Sequence, residues 1–214
     1  MERAAALSRV ETLLDTVEND TMPVPVREVW LYGDAALGLD PVDRLDVYLT
    51  KDILLESDDE AADRFEREYG VKGVGSTVRA EWAEEHPDCL RASENGYAAP
   101  EKCLAAHLTD PDEPIHLEVC NASFGDNVTQ RLQGALDRDA YEQVLDPRGA
   151  CLWMEGERET ETIEKLRAGE LAFPTLPEAL GMLGAEEDDA RAAAEAVNER
   201  REEQNGATVR GDVV

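Results

Sequence analysis

The sequence predicts an α/β (α+β) fold: a small mixed sheet with flanking helices, followed by a mainly helical C-terminal part. Three observations predict it. Arg44 to Thr50 alternates Leu45, Val47 and Leu49 with Arg44, Asp46 and Tyr48, and Ile115 to Cys120 alternates likewise, the period of two that belongs to strands. Leu7, Val10, Leu14 and Val17 recur instead at three- and four-residue steps, as on one face of a helix. From Asp126 onward the helical period dominates.

The first helix, residues 2–17, must end before Pro23 and Pro25, which cannot continue it. Val29 to Tyr32 is a short buried strand, and Gly33 to Pro41 leads to the second strand. Ser57-Asp58-Asp59-Glu60 is a capping box opening a helix with Ala61, Ala62, Phe65 and Tyr69 on its buried stripe and Gly70 as its stop. In 71–95, Val78, Ala80 and Trp82 alternate like a strand, but Val78 and Trp82 also fit a helix ending before Pro87, and the helix is preferred. Pro100 suits the first turn of a helix carrying Cys103, Leu104, His107 and Leu108. Ile115 to Cys120 is the third strand.

Val128, Leu132 and Ala135 then mark one helix, and Tyr141, Val144 and Leu145 the next. Gly149 to Met154 reads as a short strand, and Ile163 and Leu166 mark a helix. Thr175-Leu176-Pro177-Glu178 is a second capping box, opening a helix closed by Gly184; a charged, alanine-rich helix spans about 188–203. The tail is either disordered or a docked edge strand. The expected organisation is an α/β domain over 1–125, a helical part over 126–205 and a tail over 206–214.

Acidic residues number 49 and basic residues 21, for a net charge of −28 over 214 residues; only four of the basic residues are lysines. At 42% hydrophobic the chain can still build a core. Self-repulsion at this charge opposes compaction in dilute buffer, whereas at 1 M salt the Debye length falls to about 3 Å. The acids are spread along the whole chain, which points to a salt-accumulating cytoplasm. The charge argues against direct nucleic-acid binding, which needs lysine and arginine facing phosphates. No apolar run spans a bilayer and no signal peptide is visible, so the expectation is a cytoplasmic protein without a membrane partner. The four cysteines (Cys89, Cys103, Cys120, Cys151) form no C-x-x-C pair and read as buried thiols.

Gly33-Asp34-x-x-x-Gly38, then a loop, then Leu45-Asp46-Val47, resembles the nucleotidyltransferase fold. In that family a helix precedes a strand ending in a glycine turn, the second strand bears two acids at alternate positions, and a third strand adds another. Two acids on one strand face can share a divalent cation, and a two-metal site clamps the attacking and leaving oxygens. A glycine turn lets backbone amides approach a phosphate. The resemblance makes Asp46 and Glu118 candidate metal ligands, with Asp43 as a third, and Gly33, Asp34, Gly38 and Arg44 a candidate phosphate or ligand turn.

Two departures stand out. Position 44, where the first acid belongs, is arginine, and Asp43 is one residue out of step. Asp34 replaces a small neutral residue and would repel a triphosphate. Each acid also has a plain structural role open to it: Arg44 and Asp46 as an ion pair on a solvated sheet, Asp34 as a turn residue, Glu118 facing water. Across its whole length, including Val-Arg-Gly-Asp-Val-Val at the end, the sequence is also similar to an uncharacterised protein family of halophilic archaea, which implies no activity.

Cys103-x-x-x-His107 and His116-x-x-x-Cys120 have zinc-like spacing, but the first pair lies on a predicted helix and the second on a strand. They do not converge on one ion, so core packing is the better account of the cysteines. Two main functions stay open. One is a non-catalytic binding or regulatory protein with an unknown protein or nucleotide ligand. The other is a divergent metal-dependent nucleotidyltransferase using Asp46 and Glu118, with magnesium or manganese as cofactor. A third reading is a structural subunit whose Trp30, Tyr32 and Tyr48 face packs on a partner.

Overall fold

The first helix, α1 (Arg3–Asn19), buries Leu7, Val10, Leu13, Leu14 and Val17 along one stripe. It leads into β1 (Val26–Tyr32), which ends at Gly33, where a single turn of helix, α2 (Gly33–Ala36), follows. The remaining elements are β2 (Leu45–Lys51), β3 (Val71–Val74), β4 (Thr77–Ala80), α3 (Pro100–Leu108), β5 (Ile115–Cys120) and α4 (Phe124–Leu136). After them come β6 (Gly149–Met154), β7 (Glu157–Arg158), α5 (Thr160–Ala168), α6 (Leu176–Met182), α7 (Glu187–Glu203) and β8 (Thr208–Gly211). This computed structural model describes residues 1–20, 22, 25–51, 71–74, 77–80, 100–110, 113–203 and 208–211. The capping box at 57–60 and the helix it opens lie outside the described residues.

Six strands form one mixed sheet in the order β7-β6-β1-β2-β5-β8. β1 runs antiparallel to β2 and to β6, while β5 runs parallel to β2 and to β8. The tail therefore enters the sheet as an edge strand. The helix expected around Val78 is corrected here: Val71–Val74 and Thr77–Ala80 form a separate antiparallel pair. Val78 and Ala80 alternate in the sequence as a strand requires.

One face of the sheet is apolar throughout. Val29 and Leu31, Leu45, Val47 and Leu49, Ile115, Leu117 and Val119, and Leu152 pack against α1, Leu104 and Leu108 of α3 and Leu166 of α5. Burying such side chains contributes about 1.5–3 kcal/mol each, so this layer dominates the stability of the fold.

The opposite face is also covered. Every residue of β2 and of β5 is buried. The polar half of the period-two pattern therefore faces protein, and the solvated sheet considered for Arg44 and Asp46 does not exist. α4 lies over this face, its start set by Ser123 Oγ, which accepts the Asp126 N–H at 3.1 Å. Phe124 stacks on Trp30 with ring centroids 4.8 Å apart and meets Tyr48 edge-on at 5.2 Å. The aromatic surface read as a partner interface is thus occupied by the chain's own helix. The buried Glu28 carboxylate ties the layers together: its Oε2 accepts Trp30 Nε1 at 2.9 Å, Thr50 Oγ1 at 3.0 Å and the Phe124 N–H at 3.1 Å.

Beyond α4, Leu132 and Ala135 join Leu176 and Leu180 of α6 and Ala190, Ala193 and Val197 of α7 in a second core. The helix expected from Tyr141, Val144 and Leu145 is reduced to one 3₁₀ turn, Tyr141–Gln143, with Val144 already extended. Pro147 explains this, because the residue before a proline is driven out of the helical region. The extended segment carries Val144 and Leu145 into two different hydrophobic clusters and sets Asp146 over the polar face.

Candidate functional site

β2 and β5 lie side by side in parallel register, with Asp46 opposite His116 and Tyr48 opposite Glu118. Tyr32 of β1 pairs with Asp46 from the other side. Because side chains alternate along a strand, Tyr32, Asp46, His116 and Glu118 share one face. The two candidate acids, 72 positions apart in the chain, are brought diagonally together on adjacent strands.

Each acid is already neutralised. Asp46 is 2% exposed, and its Oδ1 accepts Arg44 Nε at 2.7 Å. Burial raises the Asp46 pKa, against the opposing pull of the Arg44 charge and, beyond it, His116 and Arg201. Glu118 is 1% exposed; His116 Nε2 lies 3.2 Å from its Oε1 and Arg131 Nη2 lies 2.7 Å from its Oε2. Burial pushes the Glu118 pKa up, but the hydrogen bond with His116 and the Arg131 charge more than offset it, leaving the carboxyl at about 2. Glu118 is therefore a buried anion, and each of the two carboxyl groups is held by a guanidinium group.

Gly33 adopts φ +70°, and a Cβ there would overlap the Asp46 carboxylate, with Cγ only 3.0 Å away. The glycine turn thus closes over Asp46 rather than opening toward a phosphate. Asp34 is held by Arg201 from the end of α7. Gly38 (φ +81°) is exposed, with open space around its Cα. Asp43 is exposed and precedes β2, so it does not join Asp46 on the sheet face. The sheet thus brings together Arg44, Asp46 and Glu118, while Asp43 and Gly38 stay outside.

Four further residues complete the arrangement. Arg131 sits on the buried stripe of α4 beside Val128, Leu132 and Ala135, a spacing of three, four and seven that could have flagged it. Asp146 accepts the Arg148 N–H at 3.0 Å, Arg148 Nε at 2.9 Å and Nη2 at 2.8 Å, and lies 3.6 Å from Arg201 Nη1. Arg201 comes from a polar helix and carries no local signal. Tyr32 is 5% exposed, and its hydroxyl has no hydrogen-bond partner. Tyr32, Arg44, His116, Glu118, Asp146 and Arg201 border a cleft of about 30 Å³.

The donor set does not fit a divalent metal pair. Guanidinium groups already sit on both carboxylates, and no three His, Cys, Asp or Glu side chains among the described residues are grouped to hold an ion. The zinc-like pairs also separate: His107 lies 3.6 Å from Asp20, while His116 pairs with Glu118. Cys120 is buried, with Arg131 Nη2 3.9 Å from its Sγ.

A family model described as "Family of unknown function (DUF7095)" matches residues 2–214. The chain belongs to that family. No curated protein and no solved structure matches it. The DUF7095 match runs through the sheet, the cleft and α7 together, so the whole arrangement lies within one family unit. No helix among the described residues is long and apolar enough to cross a membrane.

Proposed function

We propose that this protein is a non-catalytic binding or regulatory protein on a nucleotidyltransferase-like frame, working in a salt-rich cytoplasm. The order of elements supports the frame: α1, β1, the turn at Gly33, β2 with Asp46 and β5 with Glu118. The single observation that carries the reading is the pair of buried ion pairs, Arg44–Asp46 and Arg131–Glu118, on the two carboxylates a transferase would offer to metal. Swapping a guanidinium for a divalent cation there would leave the arginine buried without its counter-charge, a cost of several kcal/mol. The acid excess supports the salt-rich setting, since charge repulsion fades as ionic strength rises.

A divergent metal-dependent nucleotidyltransferase using Asp46 and Glu118 is the second reading. It is favoured by the shared face of those acids on adjacent parallel strands. Incubating the full chain in molar salt with magnesium or manganese and labelled nucleotides separates the two. We expect no label transfer. Transfer that disappears in Asp46→Asn would establish the second reading and defeat the first.

A further inference from the structure

The cleft encloses about 30 Å³, room for about two waters. Anything larger needs a wall to move. Two of its three walls are firmly built. Tyr32, His116 and Glu118 stand on neighbouring strands of the sheet, with an apolar core behind them. The segment from Val144 to Asp146 is anchored by Val144 and Leu145, each buried in a hydrophobic cluster.

The third wall is the end of α7, which contributes Val197, Arg200 and Arg201. Val197 is the last buried apolar side chain of that helix among the described residues, and Asn198 to Glu203 is polar throughout. Arg200 Nη1 donates to the Glu142 carbonyl at 2.7 Å. Arg201 pairs with Asp34 on the glycine turn and lies 3.6 Å from Asp146. Arg201 and Asp34 keep 19% and 28% of their side-chain surface in water, so this pair holds less firmly than an apolar anchor would. Further along, the four residues of β8 lie parallel on His116–Val119 as an edge strand. One stretch of chain therefore walls the cleft and also covers the outer edge of the strand that carries His116 and Glu118. Short elements held by backbone hydrogen bonds and part-exposed ion pairs open locally at low cost. Freeing Arg201 also lowers the effective concentration of β8 at the β5 edge, because both belong to the same stretch.

We propose that the end of α7 and β8 form a strap across the cleft, latched by Arg201 on Asp34, whose release opens the charged cleft and the β5 edge together. The strap gives a ligand larger than water its route to Tyr32, His116 and Glu118. It follows from how the walls are attached and is tested without ligand or transfer assay, so its failure leaves the reading of the site given above untouched.

The test is carried out on the full chain at fixed pH and salt. Amide hydrogen exchange reports the β5–β8 edge. Acylation of His116 by diethylpyrocarbonate, located by mass spectrometry, reports the cleft, because that side chain is only 4% exposed while the strap is shut. Arg201→Gln should speed exchange of the β8 amides about three- to tenfold, the scale of one part-exposed, charge-assisted contact, and should speed His116 acylation by a similar factor. The β1 and β2 amides should exchange as in the wild type. Asp34→Asn leaves the arginine in place; it should raise the same two signals less, and it reads out the latch by itself if Arg201→Gln does not fold. Equal acceleration throughout the sheet would mean global unfolding and would overturn the proposal. So would unchanged β8 exchange, or faster β8 exchange with His116 as protected as before.

Discussion

The two faces of the sheet at β2 and β5 are both buried and are held by opposite physics. On one, Leu45, Val47, Leu49, Leu117 and Val119 meet α1, α3 and α5 with no polar group among them. On the other, Asp46, His116 and Glu118 meet Arg44, Arg131 and Arg201 under α4 and α7. The apolar face is non-directional and forgiving in shape. The charged face depends on its ion pairs, because a buried charge without its counter-charge is far costlier than a buried methylene. Where a protein buries a polar sheet surface, the counter-charges come from distant parts of the chain, as Arg131 of α4 and Arg201 of α7 do here.

The comparison breaks first at Glu118. Glu118→Gln leaves Arg131 buried without its anion and should cost about 3–5 kcal/mol in chemical denaturation. Adding Arg131→Met should recover much of that loss. A double mutant no more stable than Glu118→Gln alone would show that the pair is not the unit that matters.

Titration sharpens the same point. Glu118 has its pKa lowered from 4.5 to about 2 in the folded protein, so its stabilising contribution is full above 4.5 and is lost as the pH falls toward about 2. Asp46, whose pKa is raised from 3.8, works the other way: its contribution is present below 3.8 and is lost as the pH rises through the folded value. Acid denaturation of the wild type should therefore steepen between 4.5 and 2, and Glu118→Gln should flatten that limb. Identical acid limbs would assign the transition to other carboxylates.

On the apolar face the size of the side chain, not its partner, should decide. Leu117, fully buried, should cost about 2–5 kcal/mol as alanine. Leu117→Met should cost under about 1.5 kcal/mol. A methionine as damaging as the alanine would mean that this layer is as exacting as the charged one. A modest effect belongs to a helix end away from both faces. The Thr175 N–H and Oγ1 donate to Glu178 at 2.9 and 2.8 Å, and Thr175→Ala should cost about 0.5–2 kcal/mol in chemical denaturation.

Most of the secondary structure was legible locally. Period two marked β2 and β5, Gly149 to Met154 read as a strand, and Thr175-Leu176-Pro177-Glu178 opened α6, as its spacing requires. The misreadings fell where a local signal was two-sided. Val78 fitted either period, and Val144 and Leu145 continued a helical stripe that Pro147 interrupts. Of the site, Asp46 and Glu118 were legible as a same-face pair because alternation and strand order suffice to place them. Arg131 was readable from its stripe but passes for a solvated helix residue. Asp146 and Arg201 were not readable, because their roles depend on where α7 docks.

Read alone, the chain determined its charge, its helical and strand periods, the glycine turn and the sidedness of two strands, all of which follow from spacing within a few residues. Which strands are neighbours, that both faces are covered, and which arginine meets which acid were decided only by packing. Contacts between residues 44, 118, 131 and 201 join segments whose sequence separation leaves no periodic trace, and only burial makes a charge demand its partner.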